Sequence, residues 1–109
     1  AGEGRDVSFL GTQGYIPPEG PGSPGADVYA LGKVLYEAAM GRDRELFPEL
    51  PTAAYEAPDD SLLRQLQKVI FTACESEATE RYHTAAELHA ALLELHRRWK
   101  QREGQTQSE

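Results

Sequence analysis

The side chains in this sequence that could ligate a metal or attack a substrate are three histidines, one cysteine and a scatter of carboxylates, and their spacing argues against both chemistries. His83, His89 and His96 stand six and seven residues apart, whereas two imidazoles reach one metal from a helix when they are four apart. His89 and His96 share a helix face two turns apart, but at ~1.5 Å of rise per residue roughly 10 Å separates them. They read as exposed surface histidines. Cys74 is the single cysteine, so no internal disulfide forms, and it reads as a small buried hydrophobe rather than a nucleophile. There is no G-x-S-x-G elbow, Walker loop or C-x-x-C pair, and the Asp and Glu residues show no spacing that singles out a catalytic couple.

The elements that must position any chemistry are helical. Over residues 26–40, Val28, Leu31, Val34, Leu35, Ala38 and Ala39 recur at three- and four-residue steps, the helical period. Lys33 and Glu37 are the only charges between Asp27 and Arg42, and a helix apolar nearly all round is one that other elements wrap. Asp27 at its entry suits a helix cap, and Gly41 supplies a left-handed residue to end it. Residues 42–58 read as a proline-bound loop anchored by Phe47 and Leu50. Asp59 and Asp60 signal a second helix, with Leu62, Leu63, Leu66, Val69, Ile70 and Ala73 on one face. A third opens with Thr84-Ala85-Ala86-Glu87, a capping box, and carries a stripe of Ala85, Leu88, Leu92, Leu95 and Trp99. Residues 104–109 are polar and read as frayed. Residues 1–24 are punctuated by Gly and Pro into turns, yet Phe9, Leu10, Tyr15 and Ile16 are large and apolar, which indicates a docked loop rather than a solvated linker.

Charge and length narrow the classes further. A 109-residue chain makes one small domain. Its formal net charge of -7, from 18 acidic and 11 basic residues, argues against generic nucleic-acid binding, which needs clustered Lys and Arg. Arg97, Arg98, Lys100 and Arg102 form the nearest approach to a basic patch, and their place in the last turns of a helix suits the helix dipole better than a nucleic acid. No apolar run approaches the ~20 residues that cross a bilayer, and no signal peptide is present. The opening on Ala1 reads as a cut inside a longer protein.

Three blocks of this sequence are more specific than any of the above. Gly11-Thr12-Gln13-Gly14-Tyr15-Ile16-Pro17-Pro18-Glu19, then Asp27-Val28-Tyr29-Ala30-Leu31-Gly32, resembles the end of the activation segment and the central helix of protein kinases, whose pattern is G-T-x-x-Y-x-A-P-E followed by D-V-[WY]-S-L-G. Ala73-Cys74-Glu75 through Glu80-Arg81-Tyr82, then Ala86-Glu87-Leu88, is similar to the last block of that family. The resemblance implies a mainly α fold: the helical lower part of a kinase-like C-terminal lobe, with an N-terminal activation-segment loop and no N-lobe sheet. Residues 1–100 would be the partial kinase domain and residues 101–109 a polar tail. The shortened Phe47-Pro48-Glu49-Leu50-Pro51 stretch looks like some bacterial relatives.

The same resemblance implies roles residue by residue. Thr12 matches the Thr that supports the catalytic Asp, itself absent here, and points to Ser/Thr specificity. Phe9, Gln13 and Ile16 match the lining of the pocket for the residue after the acceptor, although Gln13 replaces the common Pro. Ser8 matches a position phosphorylated to order the loop, with Arg5 the only nearby base. Glu19 matches the Glu that pairs with Arg81 beneath the substrate loop, Pro17 stands where Ala is usual, and Asp27 matches the Asp that holds the catalytic loop. The glycine-rich loop, the ATP-positioning Lys, H-R-D and D-F-G are all missing, and phosphoryl transfer needs those parts together. The expectation is therefore a cytoplasmic Ser/Thr kinase piece, not catalytic alone. Its parent uses ATP and Mg2+, acts on Ser/Thr of a protein substrate and supplies the missing N-lobe and catalytic loop. No metal, cofactor, nucleic acid or membrane is expected to bind this segment. The alternatives are a non-catalytic, pseudokinase-like interaction module and an unrelated helical interaction domain. Stripped of its parent, the chain should expose an apolar patch.

Overall fold

The chain's structure, a computed structural model, describes residues 14–107. α1 (Pro24–Met40) begins where Ser23 takes an extended conformation and its hydroxyl accepts from the Ala26 N–H at 3.0 Å. Pro24 follows at the first helical position, where a missing N–H costs nothing. This corrects the cap expected from sequence: Asp27 lies a turn inside the helix, exposed, where its charge faces the positive end of the helix dipole. Gly41 closes α1 in the left-handed region (φ 67°) and donates its N–H to the Glu37 carbonyl.

Residues 42–58 are not a plain loop. A single 3-10 turn, Arg44–Leu46, is capped by the Asp43 carboxylate, and a short α2 (Thr52–Glu56) follows. Pro51 stands just outside α2 as its cap residue, so its ring blocks no helical bond. α3 (Leu62–Ala73) starts from Ser61, whose hydroxyl accepts from the Arg64 N–H at 3.2 Å; the cap is Ser61 rather than the acidic pair before it. A second 3-10 turn, Ala78–Glu80, leads to α4 (Ala85–Gln107). The Thr84 hydroxyl accepts from the Glu87 N–H, while the Glu87 carboxylate accepts from the N–H of His83. The capping box thus reaches one residue further back than its standard form. α4 also runs past Gly104, because Lys100, Gln101, Arg102 and Glu103 are good helix formers that carry it on.

α1, α3 and α4 pack on one another. One core group is Tyr36, Met40, Leu50, Ala54, Ile70 and Cys74; the other is Val28, Val69, Ala73, Leu88 and Leu95; Leu35 and Leu66 touch both. Phe47 packs edge-on between Tyr36 and Phe71 and, with Leu50, seats the 42–58 segment on the core. Gly32 marks the closest approach of α1 and α3: a Cβ there would stand 2.7 Å from Cys74 Sγ and 2.8 Å from Ala73 Cβ.

The architecture is helical with no strand among the described residues, as the resemblance implies. The buried face of α1 is not the one expected, however. Val28, Gly32, Lys33, Tyr36 and Met40 are buried, whereas Leu31 and Val34 are 43% and 50% exposed and Ala38 is exposed. Two apolar faces run along α1, and periodicity does not tell which one meets α3 and α4. Leu31 belongs to the apolar patch expected of this chain on its own, with Val34 beside it, whereas Val28, expected in the same patch, is fully buried and Leu35 half-buried.

Candidate functional site

Arg81 follows the Ala78–Glu80 turn and is 2% exposed. Its guanidinium forks onto Glu19, with Nη1 to Oε2 at 2.7 Å and Nη2 to Oε1 at 3.2 Å. The remaining N–H groups donate to backbone carbonyls: Nε to Glu75 at 2.9 Å, Nη1 to Gly25 at 2.9 Å and Nη2 to Ser76 at 3.2 Å. All five guanidinium donors are therefore matched, and the plane also stands 5.2 Å from the Tyr29 ring. A buried cation without partners would be strongly unfavourable; here charge and geometry are both met. Arg81 also holds the Glu19 carboxyl below the usual carboxylate range, chiefly through the fork itself. The clasp binds three separate stretches: the loop ending at Glu19, the first turn of α1, and the chain leaving α3.

A second cluster holds the loop further upstream. The Tyr15 hydroxyl donates to Glu37 Oε1 at 2.5 Å, and Glu37 Oε2 accepts from the Arg44 backbone N–H at 3.1 Å and from its Nη1 at 3.3 Å. The Arg44 guanidinium lies over the Tyr15 ring, 4.4 Å from its centre, within cation–π range. Donation from Tyr15 pulls the Glu37 carboxyl below its ordinary range, and the same carboxylate raises the Tyr15 phenol.

Of the residues singled out from sequence, Glu19 and Arg81 are brought together, and Ile16 sits half-buried between the two clusters in sequence, directly after Tyr15. Asp27 is exposed and makes no side-chain hydrogen bond within the described residues. Thr12, Phe9, Gln13 and Ser8 lie outside the described residues.

Lys33 is a residue the sequence reading left without a role. It is buried at 5% exposure, donates to the Arg44 carbonyl at 3.1 Å, and stands 4.4 Å from the Phe47 ring centre and 5.3 Å from that of Tyr29. Burial lowers its pKa. Its position four residues after Tyr29, three before Tyr36 and seven before Met40 places it on the buried face, which is the signal that could have found it.

The other candidates resolve as ordinary structure. Burial pushes the Cys74 thiol up to about 12, which removes its thiolate at neutral pH. His83, His89 and His96 are exposed, and no group of three or more His, Cys, Asp or Glu could hold a metal among the described residues. Arg97 and Arg98 share Glu94, and Arg102 stands 3.9 Å from Asp60, so two carboxylates offset part of the charge at the basic end of α4. No described helix is long and apolar enough to cross a membrane.

Comparison with known proteins places this helical unit. It is 31% identical to the serine/threonine-protein kinase PknB of Mycobacterium tuberculosis over 106 residues, covering 84% of this chain and 17% of that protein. It is 33% identical to a probable serine/threonine-protein kinase of Corynebacterium efficiens over 109 residues, covering 84% of this chain and 16% of that one. A shorter stretch of 46 residues, 38% of this chain, is 50% identical to the chitin elicitor receptor kinase 1 of Physcomitrium patens. The chain thus spans about a sixth of the length of the bacterial kinases it matches. No family model matches it, and no solved structure matches it.

Proposed function

The chain is a relative of the serine/threonine protein kinases, and from that premise we propose that it forms the substrate-side part of a kinase domain transferring the ATP γ-phosphoryl to Ser or Thr of a protein. The observation that carries this reading is the Glu19–Arg81 clasp. It ties Glu19 to the first turn of α1 and to the chain leaving α3 through a buried, fully matched guanidinium. A peptide-binding loop needs such an anchor, because the reacting hydroxyl must be held within a few tenths of an ångström of its productive place.

In this reading Thr12 donates its hydroxyl to the catalytic Asp and accepts from the neighbouring Lys, both supplied by other parts of the protein. Phe9, Gln13 and Ile16 line the pocket for the residue after the acceptor, Ser8 is a phosphorylation site that orders the loop, and Asp27 holds the catalytic loop. ATP and Mg2+ belong to the remainder of the domain, and the reaction is placed in the cytoplasm. The test is Thr12→Ala against Thr12→Ser in the full-length protein. The Ala variant should lose most of its turnover and keep its folding midpoint, with Ser restoring turnover. Unchanged turnover in Thr12→Ala would remove Thr12 from the mechanism.

A further inference from the structure

The Tyr15, Glu37 and Arg44 contacts close a ring. Glu37 joins Tyr15 through one carboxylate oxygen and Arg44 through the other, and Arg44 returns over the Tyr15 face. Gly14 completes it. This residue has φ +88°, and a Cβ there would fall 2.7 Å from Arg44 Cγ, so the arginine stem lies directly against bare backbone. The ring thus joins the chain just before Ile16 to the last turns of α1 and to the 3-10 turn after it. Arg44 and Glu37 keep side-chain exposures of 21% and 28%, and neither belongs to the two core groups. Removing one of them should free a loop locally rather than dissolve the helical unit.

We infer that Arg44 is a positioning residue for the protein substrate: it latches the Gly14–Ile16 turn, and with it the Ile16 pocket wall, through its stack on Tyr15 and its bonds to Glu37. This rests on the kinase reading above and adds a residue to it. An arginine is required because one planar group must both stack on a ring and donate to a carboxylate; a lysine ammonium does not do both in this geometry. Both oxygens of Glu37 are engaged inside the latch.

The experiment uses the full-length protein with Arg44→Ala, Arg44→Lys, Tyr15→Phe and the double variant Arg44→Ala/Tyr15→Phe. Two readouts are taken: amide hydrogen exchange, and steady-state kinetics with ATP and a protein substrate. In Arg44→Ala, exchange across residues 14–20 should rise about tenfold while residues 62–73 keep their protection. KM for the protein substrate should rise roughly tenfold, with kcat and KM for ATP within about twofold. Arg44→Lys should recover less than half of the loss, Tyr15→Phe, which keeps the stacked ring and loses only the bond to Glu37, should show a smaller effect than Arg44→Ala, and the double variant should be the worst of the four. Free-chain exchange at 14–20 in the wild type, unchanged exchange in Arg44→Ala, or a fall in kcat matching the rise in KM would each overturn the latch. A wild-type protein that transfers no phosphate defeats the kinase reading instead, and the exchange readout then decides the latch by itself.

Discussion

Arg81→Met keeps the buried apolar stem of residue 81 and deletes the guanidinium. Three backbone carbonyls, those of Glu75, Ser76 and Gly25, lose their side-chain donor. At about 1 kcal/mol of net stability per such bond, the loss is about 3 kcal/mol. The Glu19 carboxylate is left out of this sum, since its side chain is 36% exposed and can regain water. Against a domain stability of ~5–15 kcal/mol this is a large fraction. Urea unfolding of the full-length protein should show the corresponding fall in midpoint with an unchanged slope. The two ends of the clasp should also be unequal. Glu19→Gln leaves Arg81 with its three carbonyl acceptors and should cost less than Arg81→Met. Arg81→Lys should lie between wild type and Arg81→Met, since three donors on one nitrogen do not span five acceptor positions. An Arg81→Met protein within about 0.5 kcal/mol of wild type, or a Glu19→Gln variant that is the worse of the two, would refute the reasoning.

Acid should weaken the same clasp. The Glu19 carboxyl is held below its ordinary 4.5, so its contribution is complete above that value and is lost as pH falls through the lowered folded one. Melting temperature should drop below about pH 4.5, and less steeply in Glu19→Gln; equal slopes would contradict this. Cys74, buried and with its thiol pushed up to about 12, should resist iodoacetamide at pH 8 until the protein unfolds, and prompt labelling of the native protein would count against the packing described. Gly32→Ala would drive a Cβ to 2.8 Å from that of Ala73 and should cost about 1–3 kcal/mol by forcing α1 from α3, measured as a urea midpoint; a neutral effect would contradict the close approach.

Much of the helical frame was legible in the sequence, and the exceptions have particular causes. Gly41, the Thr84 cap and the apolar face of α3 follow from local rules and stand where those rules put them. The start of α1 is masked because Pro24-Gly25 reads as loop, although Pro is well suited to the first helical position behind Ser23. α2 is hidden in the sequence because Pro51 looks like a breaker, although it stands outside the helix it precedes. The two faces of α1 are not distinguished by sequence, because by residue type Leu31 and Val34 look more buried than Lys33 and Tyr36. Lys33 and Tyr36 bury their stems and rings while their polar tips reach the Arg44 and Glu49 carbonyls. The site was legible only in part. Glu19 and Arg81 are 62 residues apart, and no local spacing pairs them; their pairing came with the family resemblance. The stack of Arg44 on Tyr15 depends on how the 3-10 turn after α1 folds back, which no periodicity encodes.

In the proposed function this helical unit serves phosphoryl transfer to protein hydroxyls. Its most direct test is incubation of the full-length protein with γ-labelled ATP, Mg2+ and a general protein acceptor, followed by identification of the labelled amino acid. Label is expected on serine and threonine, and less of it in Thr12→Ala. No label above background, or label confined to tyrosine, would contradict it.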